Sequence, residues 1–166
     1  AFEDFSAGYS SGRPQLVWTK RVADLETPIS AMLKLADGRA NAFLLESVEG
    51  GATRGRYSVI GLKPDVIWRC RGEKAEINRN ARSDPDAFQP EEKPSLDSLR
   101  ALIGESRIDV PTGLPPMASG VFGYMGYDMV RQVEHLPAAN PDKLGVPDSI
   151  FLRPTVIAIF DNIEDQ

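Results

Sequence analysis

The segment from Asp65 to Arg79 constrains the fold more than any other. Val66, Trp68 and Cys70 alternate with Ile67, Arg69 and Arg71, the two-residue period of a half-buried strand. Gly72-Glu73-Lys74 supplies a turn, and Ala75–Arg79 returns as a second strand. The pair therefore predicts an antiparallel hairpin. Further strand signals lie at Leu16–Val22, Ala42–Val48, Tyr57–Gly61, Met117–Tyr127 and Thr155–Asp161.

Three helical signals interrupt the strands. Thr27 suits an N-cap and Pro28 the first helical position. Ile29, Met32, Leu33 and Ala36 form one face, and Asp37-Gly38 forms the stop. Ser95 is placed as the cap of a second helix whose apolar face is Leu96, Leu99, Leu102 and Ile103. Asp128 is placed as the cap of a short third helix ending at Val133. Helices and strands mix without strict alternation, and neighbouring strands are hairpin-linked. The expected class is α+β, a mixed and largely antiparallel sheet with helices packed on it. Residues 1–14 are small and polar and are expected to form a flexible, extended arm, with one domain over 15–166. Asn80–Pro94 is charged and proline-punctuated and is expected to be a long loop, the stretch most prone to disorder.

Charge and composition exclude several functions. The net charge of −5 argues against a nucleic-acid binder that relies on overall basicity. One cysteine, Cys70, rules out an internal disulfide framework, and one histidine, His135, rules out a two-histidine metal site. The longest apolar run is Val156–Phe160, far short of the roughly 20 residues that span a bilayer. With no signal-peptide pattern at the start, a reduced cytoplasmic setting is expected. The absence of an initiator Met and the end at Gln166 suggest a piece of a longer chain.

No phosphate loop or dinucleotide fingerprint is present. Gly120, Gly123 and Gly126 are spaced by threes, which fits close backbone packing better than a phosphate cradle. Cys70 shares a strand face with Val66 and Trp68, so a buried, inert thiol is expected. His135 sits in a proline-bounded loop and is expected at the surface. Glu46-Ser47 ends an apolar strand beside a glycine loop. Glu46 can accept from an ammonium and Ser47 can donate to a carboxylate, as a free amino acid requires. From pattern alone, a glutamate that merely leaves the core at a strand end is the better account.

Four motifs change that balance. Thr27-Pro28-Ile29-Ser30-Ala31-Met32-Leu33-Lys34-Leu35, Phe43-Leu44-Leu45-Glu46-Ser47-Val48-Glu49-Gly50-Gly51, Gly55-Arg56-Tyr57-Ser58-Val59-Ile60-Gly61 and Gly120–Asp128 with Arg131 occur in order. Together they resemble the N-terminal region of the large subunit (component I) of anthranilate synthase. The Gly-Tyr-Asp stretch is shared with the aminodeoxychorismate synthase large subunit. A stand-alone tryptophan sensor is the alternative of a different class.

The resemblance implies a partial copy of the family's α+β fold. It implies a parent enzyme that converts chorismate and ammonia, drawn from glutamine by an amidotransferase subunit, to anthranilate and pyruvate with magnesium. The chorismate and magnesium residues belong to a C-terminal region that this chain lacks, so no catalytic or metal residue and no cofactor is expected here. The resemblance places Glu46, Ser47 and Ser58 in a tryptophan feedback site, with Pro28, Leu45, Arg56 and Tyr57 supporting it. Glu46 and Ser47 are adjacent, and a regular strand points neighbours to opposite faces. Serving one ligand together requires a strand end or bulge between them. Self-association through an open Thr155–Phe160 edge is expected for the isolated chain, and neither a nucleic acid nor a membrane is an expected partner.

Overall fold

The computed structural model describes residues 2–49, 53–137 and 141–164, with the side chains of residues 47–49, 53 and 54 outside that description. Its elements run α1 (Phe2–Ser10), α2 (Pro28–Ala36), β1 (Phe43–Glu49), β2 (Thr53–Arg71), β3 (Lys74–Asn78), β4 (Gln89–Pro90), α3 (Ser95–Glu105), β5 (Phe122–Met125) and β6 (Ser149–Asp161). Single 3-10 segments lie at Pro116–Ala118 and Tyr127–Gln132. The β1–β2, β2–β3, β3–β4 and β5–β6 pairings are antiparallel, and the class is α+β. The chain divides into two compact units. One comprises residues 1–62, 107–120 and 156–166, and the other residues 63–106 and 121–155.

In the second unit the strand order is β4-β3-β2-β6-β5. The expected hairpin forms with the register Ile67↔Asn78 through Arg71↔Lys74, and Gly72 carries the turn at φ 56°. Val66, Trp68 and Cys70 face Leu99 and Leu102 of α3, with Ala75, Ile77 and Met129 completing the core. Polar groups within this core are matched. The Trp68 indole N–H donates to Ser98 Oγ at 2.9 Å, and Ser98 Oγ donates to Glu91 at 2.8 Å. Asn78 donates to the Asp84 carbonyl at 2.8 Å and accepts from the Asn80 N–H. This side chain organises the start of the 80–94 loop, which also carries β4. A Cβ on Gly123 would come within 1.9 Å of the Ile150 carbonyl, so the β5–β6 approach requires glycine there, as the spacing of threes suggested.

Cys70 is fully buried, and burial pushes its thiol above the ordinary range. The protonated, shielded thiol is a poor nucleophile. His135 is exposed.

In the first unit, β1 pairs with the first half of β2, and α2 covers one face of the pair. Ala36, Ile60 and Leu62 are buried there, with Ala31, Met32, Ala42, Leu44, Ala158 and Phe160 packed around them. The start and stop of α2 match expectation. Thr27 and Ser30 exchange capping hydrogen bonds, Pro28 occupies the first turn, and Asp37 closes the helix in the left-handed region at φ 48°.

Several expectations need correction. Phe2–Ser10 is helical rather than an extended arm. Glu3 and Asp4 sit in the first turn, where they oppose the helix dipole's positive end, and Phe5 stacks on Tyr9 one turn later at 5.9 Å. Leu16–Val22 forms no strand, and Val17 and Val22 are exposed. β-Branched content there has no partner strand to fit against. The two segments Tyr57–Gly61 and Asp65–Arg71 are one continuous strand, with Lys63 at φ 50° just before Pro64. β6 begins at Ser149, six residues ahead of the expected Thr155.

Ser95 is the first residue inside α3, not its cap; its hydroxyl donates to Gln132 instead. Asp128 likewise lies inside its 3-10 segment, where it pairs with Arg131 at 2.8 Å. On α2, Ile29 and Leu33 point outward, and on α3 Ile103 does so. The buried stripe of α3 uses Ser98 in place of Ile103 because Trp68 brings its indole N–H there.

Candidate functional site

The register of β1 on β2 assembles the candidate site. Leu44 faces Ile60, Leu45 faces Val59 and Glu46 faces Ser58. Residues directly opposite in an antiparallel pair share a sheet face, with Cβ atoms about 4.5–5.5 Å apart. Glu46 and Ser58 therefore stand side by side, two residues along from the Leu44–Ile60 pair that packs under α2. Ser58 is buried at 3% exposure, and Glu46 is exposed. A hydroxyl at the floor and a carboxylate at the rim are thus brought together by two strands 12 residues apart in register.

The register shifts immediately beyond this pair. Val48 faces Arg54, so one residue of β1, Ser47, lies against three of β2, Gly55, Arg56 and Tyr57. A register irregularity of this kind is what Glu46 and Ser47, as neighbours, would need in order to serve one ligand together. The side chain of Ser47 lies outside the described residues.

The supporting residues separate. Pro28 is buried in the first turn of α2, the helix covering the Glu46–Ser58 face. Leu45 alternates to the opposite face and is half-exposed at 49%. Half-buried Leu44, not Leu45, therefore extends an apolar wall from the Glu46–Ser58 pair. Phe43 also lies on the Leu45 face, where its ring covers Gly61; a Cβ on Gly61 would sit 2.1 Å from that ring.

Arg56 is committed to protein contacts. Its Nε donates to both Asp161 oxygens at 3.1 Å and its Nη2 donates to Asp161 Oδ2 at 2.8 Å. Its guanidinium carbon lies 4.9 Å from the Tyr57 ring centre. The guanidinium holds the Asp161 carboxyl below the usual carboxylate range, and the carboxylate in turn raises Arg56. Asn162 adds two bonds, from its N–H to the Arg56 carbonyl at 2.8 Å and from its side-chain amide to the Gly55 carbonyl at 2.7 Å. Asp161 and Asn162 gave no local signal in the sequence. Their partners lie more than 100 residues earlier, and nothing in Phe160-Asp161-Asn162 specifies which strand they meet.

Among the described residues, no group of three or more His, Cys, Asp or Glu converges as metal ligands. No described helix is long and apolar enough to cross a membrane. An open cleft in the second unit is lined by Asp65, Arg79, Asn80, Arg82 and Ser83. Asp65 is already paired with Arg153 and Arg79 with Glu105.

Comparison with known proteins gives a consistent result. No family model matches. The chain is 55% identical over 166 residues to anthranilate synthase component 1 of Cereibacter sphaeroides, covering 100% of this chain and 33% of that protein. It is 40% identical over 163 residues to the protein of the same name from Mycolicibacterium smegmatis, covering 98% and 30%. Against Pseudomonas aeruginosa anthranilate synthase component 1 the identity is 42% over 148 residues, covering 86% and 28%. The chain thus spans about a third of the length of these curated relatives. Among solved structures, anthranilate synthase component I from Streptococcus pneumoniae TIGR4 matches with a TM-score of 0.55 at 22% identity, over 92% of this chain and 31% of that one. That likeness supports the fold.

Proposed function

We propose, from the chain's place in the anthranilate synthase component 1 family as its N-terminal region, that this unit regulates a longer chorismate-using enzyme. The enzyme would convert chorismate and ammonia to anthranilate and pyruvate, with an amidotransferase subunit releasing the ammonia from glutamine. Chorismate and magnesium would be held by residues beyond this chain, in a cytoplasmic enzyme of tryptophan synthesis. All three relatives compared carry the anthranilate synthase name, which favours this reading over aminodeoxychorismate synthase.

The effector in this reading is tryptophan, and one observation carries it. The β1–β2 register sets Glu46 against Ser58 and breaks at Ser47. Tryptophan presents an ammonium, a carboxylate and an apolar indole. Glu46 accepts from the ammonium, the hydroxyls of Ser47 and Ser58 donate to the carboxylate, and the apolar side chains under α2 shelter the ring. Inhibition follows if tryptophan binds one conformation of the enzyme better than another, which raises that state's population.

Ser47→Ala in the full-length enzyme tests this. A lost hydrogen bond to a charged group weakens binding by about 1.5–3 kcal/mol, or roughly tenfold to a hundredfold. The inhibition curve should move to higher tryptophan by that factor while turnover is nearly unchanged. Unaltered sensitivity to tryptophan, or an equal loss of activity and inhibition, would remove the assignment.

A further inference from the structure

We propose that Asp161 and Asn162 at the end of β6 clamp the irregular segment of β2, and that Asp161 is thereby a positioning residue for the effector without touching it. The inference rests on Glu46, Ser47 and Ser58 being the effector site.

The need for a clamp follows from the register. Between the pairs Glu46↔Ser58 and Val48↔Arg54, β1 has one residue and β2 has three. Regular ladder bonds to β1 cannot hold the two surplus residues of β2. Gly55 and Arg56 are held from the other side instead. Asn162 donates its N–H to the Arg56 carbonyl and its side-chain amide to the Gly55 carbonyl. Asp161 grips the Arg56 guanidinium through two nitrogens.

The clamp is itself braced. Asp161 Oδ1 accepts the Ile163 N–H at 3.1 Å, Glu164 lies 3.6 Å from Arg56 Nη2, and the guanidinium rests over the Tyr57 ring. An exposed ion pair alone would contribute little. This one is two-pronged, its Asp161 side chain is only 13% exposed, and two backbone-directed bonds act with it. Ser58 lies two residues from Arg56. A slip of one residue in β2 would send Ser58 to the opposite face from Glu46. Holding Arg56 therefore holds the hydroxyl at the carboxylate.

The test uses the full-length enzyme with Asp161→Ala, Asp161→Asn, Arg56→Lys and, as reference, Ser47→Ala. Two measurements are made on each: the tryptophan inhibition constant beside kcat and KM for chorismate, and amide hydrogen exchange over residues 54–58. Asp161→Ala should raise the inhibition constant roughly fivefold to tenfold, with kcat and KM unmoved and exchange accelerated at 55–58. Arg56→Lys keeps the charge but loses the fork, so it should fall between wild type and Asp161→Ala. If Asp161→Ala does not fold, Asp161→Asn carries the test, since it keeps the shape and removes the charge.

Unchanged exchange in a folded Asp161 variant overturns the clamp. Desensitisation by Ser47→Ala but not by the Asp161 variants overturns the positioning role and leaves the effector site standing. Retained sensitivity in all variants overturns the effector reading, and with it the positioning role, while exchange alone then decides whether the clamp holds the strand.

Discussion

Trp68, Cys70, Asn78, Ser98, Leu102 and Ser149 of the second unit are each at or below 1% exposure, and among the described side chains the first unit matches this at Ile60. Both units leave large apolar side chains exposed, Val17, Leu25 and Leu33 at 79%, 93% and 74% in the first and Tyr127 and Leu144 at 83% and 82% in the second; the difference lies in the interior. The second unit has a helix laid across a hairpin, with its interior hydroxyl, indole and amide groups paired. The first has one short helix over one end of a strand pair. Interior packing of the second kind resists change at every position, because each side chain fixes several others. A thin core tolerates adjustment, and ligand-responsive elements are drawn from the less stable parts of proteins. The candidate effector pair, Glu46 and Ser58, lies in the thin unit.

The largest expected effect would break this contrast most directly. Trp68→Ala removes a fully buried ring together with the indole N–H that Ser98 Oγ accepts, and should cost about 3–5 kcal/mol. Leu33→Ala, at an exposed helical position, should change stability by no more than about 0.5 kcal/mol. Urea unfolding followed by circular dichroism measures both. Equal losses would mean that the first unit is as tightly packed as the second.

Next in size is Ser98→Ala, which keeps the volume nearly intact and deletes the hydroxyl between Trp68 and Glu91. An unpaired buried donor costs about 1–3 kcal/mol. The same unfolding experiment should show this loss, with an altered tryptophan emission from the unpaired indole. A neutral result would show that packing alone, without the polar relay, holds the second unit.

How far this contrast was legible in the sequence depended on the range of the determining contact. The β2–β3 hairpin is written in alternation and a glycine turn within 15 residues, and α2 is written in Thr27, Pro28 and Asp37-Gly38. The buried state of Cys70 followed from the same alternation. α1 was missed because small polar residues mask a Phe5–Tyr9 stack visible only once the helix forms. Ser95 was misplaced because its hydroxyl answers Gln132, 37 residues on. At the candidate site, residue types were legible from the motif, and the need for an irregularity followed from strand geometry. The pairing of Glu46 with Ser58 and the grip of Asp161 on Arg56 depend on register and on chain-distant partners, which no local pattern encodes.

The electrostatics of the first unit give a smaller, pH-dependent effect. Hydrogen bonds from Arg56 depress the folded-state pKa of Asp161 below 3.8. A depressed carboxyl contributes stability above its unfolded value, and loses it as pH falls through the folded value. The contribution of Asp161 is therefore complete from neutral pH down to about the ordinary carboxylate range and disappears at more acid pH. Arg56, raised by the same pair, stays charged across that window. Acid titration of wild type beside Asp161→Asn, followed by exchange at residues 55–58, checks the sign. Wild type should lose protection only below about pH 4, and the variant should show no such step. A step of equal size in the variant would assign the acid response to other carboxylates.

The smallest effect concerns the strand edges. In the second unit β5 covers β6 from Ser149 to Leu152. In the first unit β6 continues as the uncharged run Val156, Ile157, Ala158, Ile159 and Phe160; β2 is its neighbour on one side, and on the other the described β5 pairing ends at Leu152. An uncharged apolar edge is a template for a further strand. A second copy of the chain meets the requirement, because antiparallel pairing about a two-fold axis makes each edge the other's partner. A single short strand pair buries little area, so the association should be weak and visible only at high concentration. Sedimentation of the 166-residue chain should show a monomer–dimer equilibrium that Ile157→Lys shifts to monomer, since a charge on the edge blocks pairing. A monomer at every concentration, or a dimer indifferent to the lysine, would show that the edge of the thin unit is as well protected as that of the other.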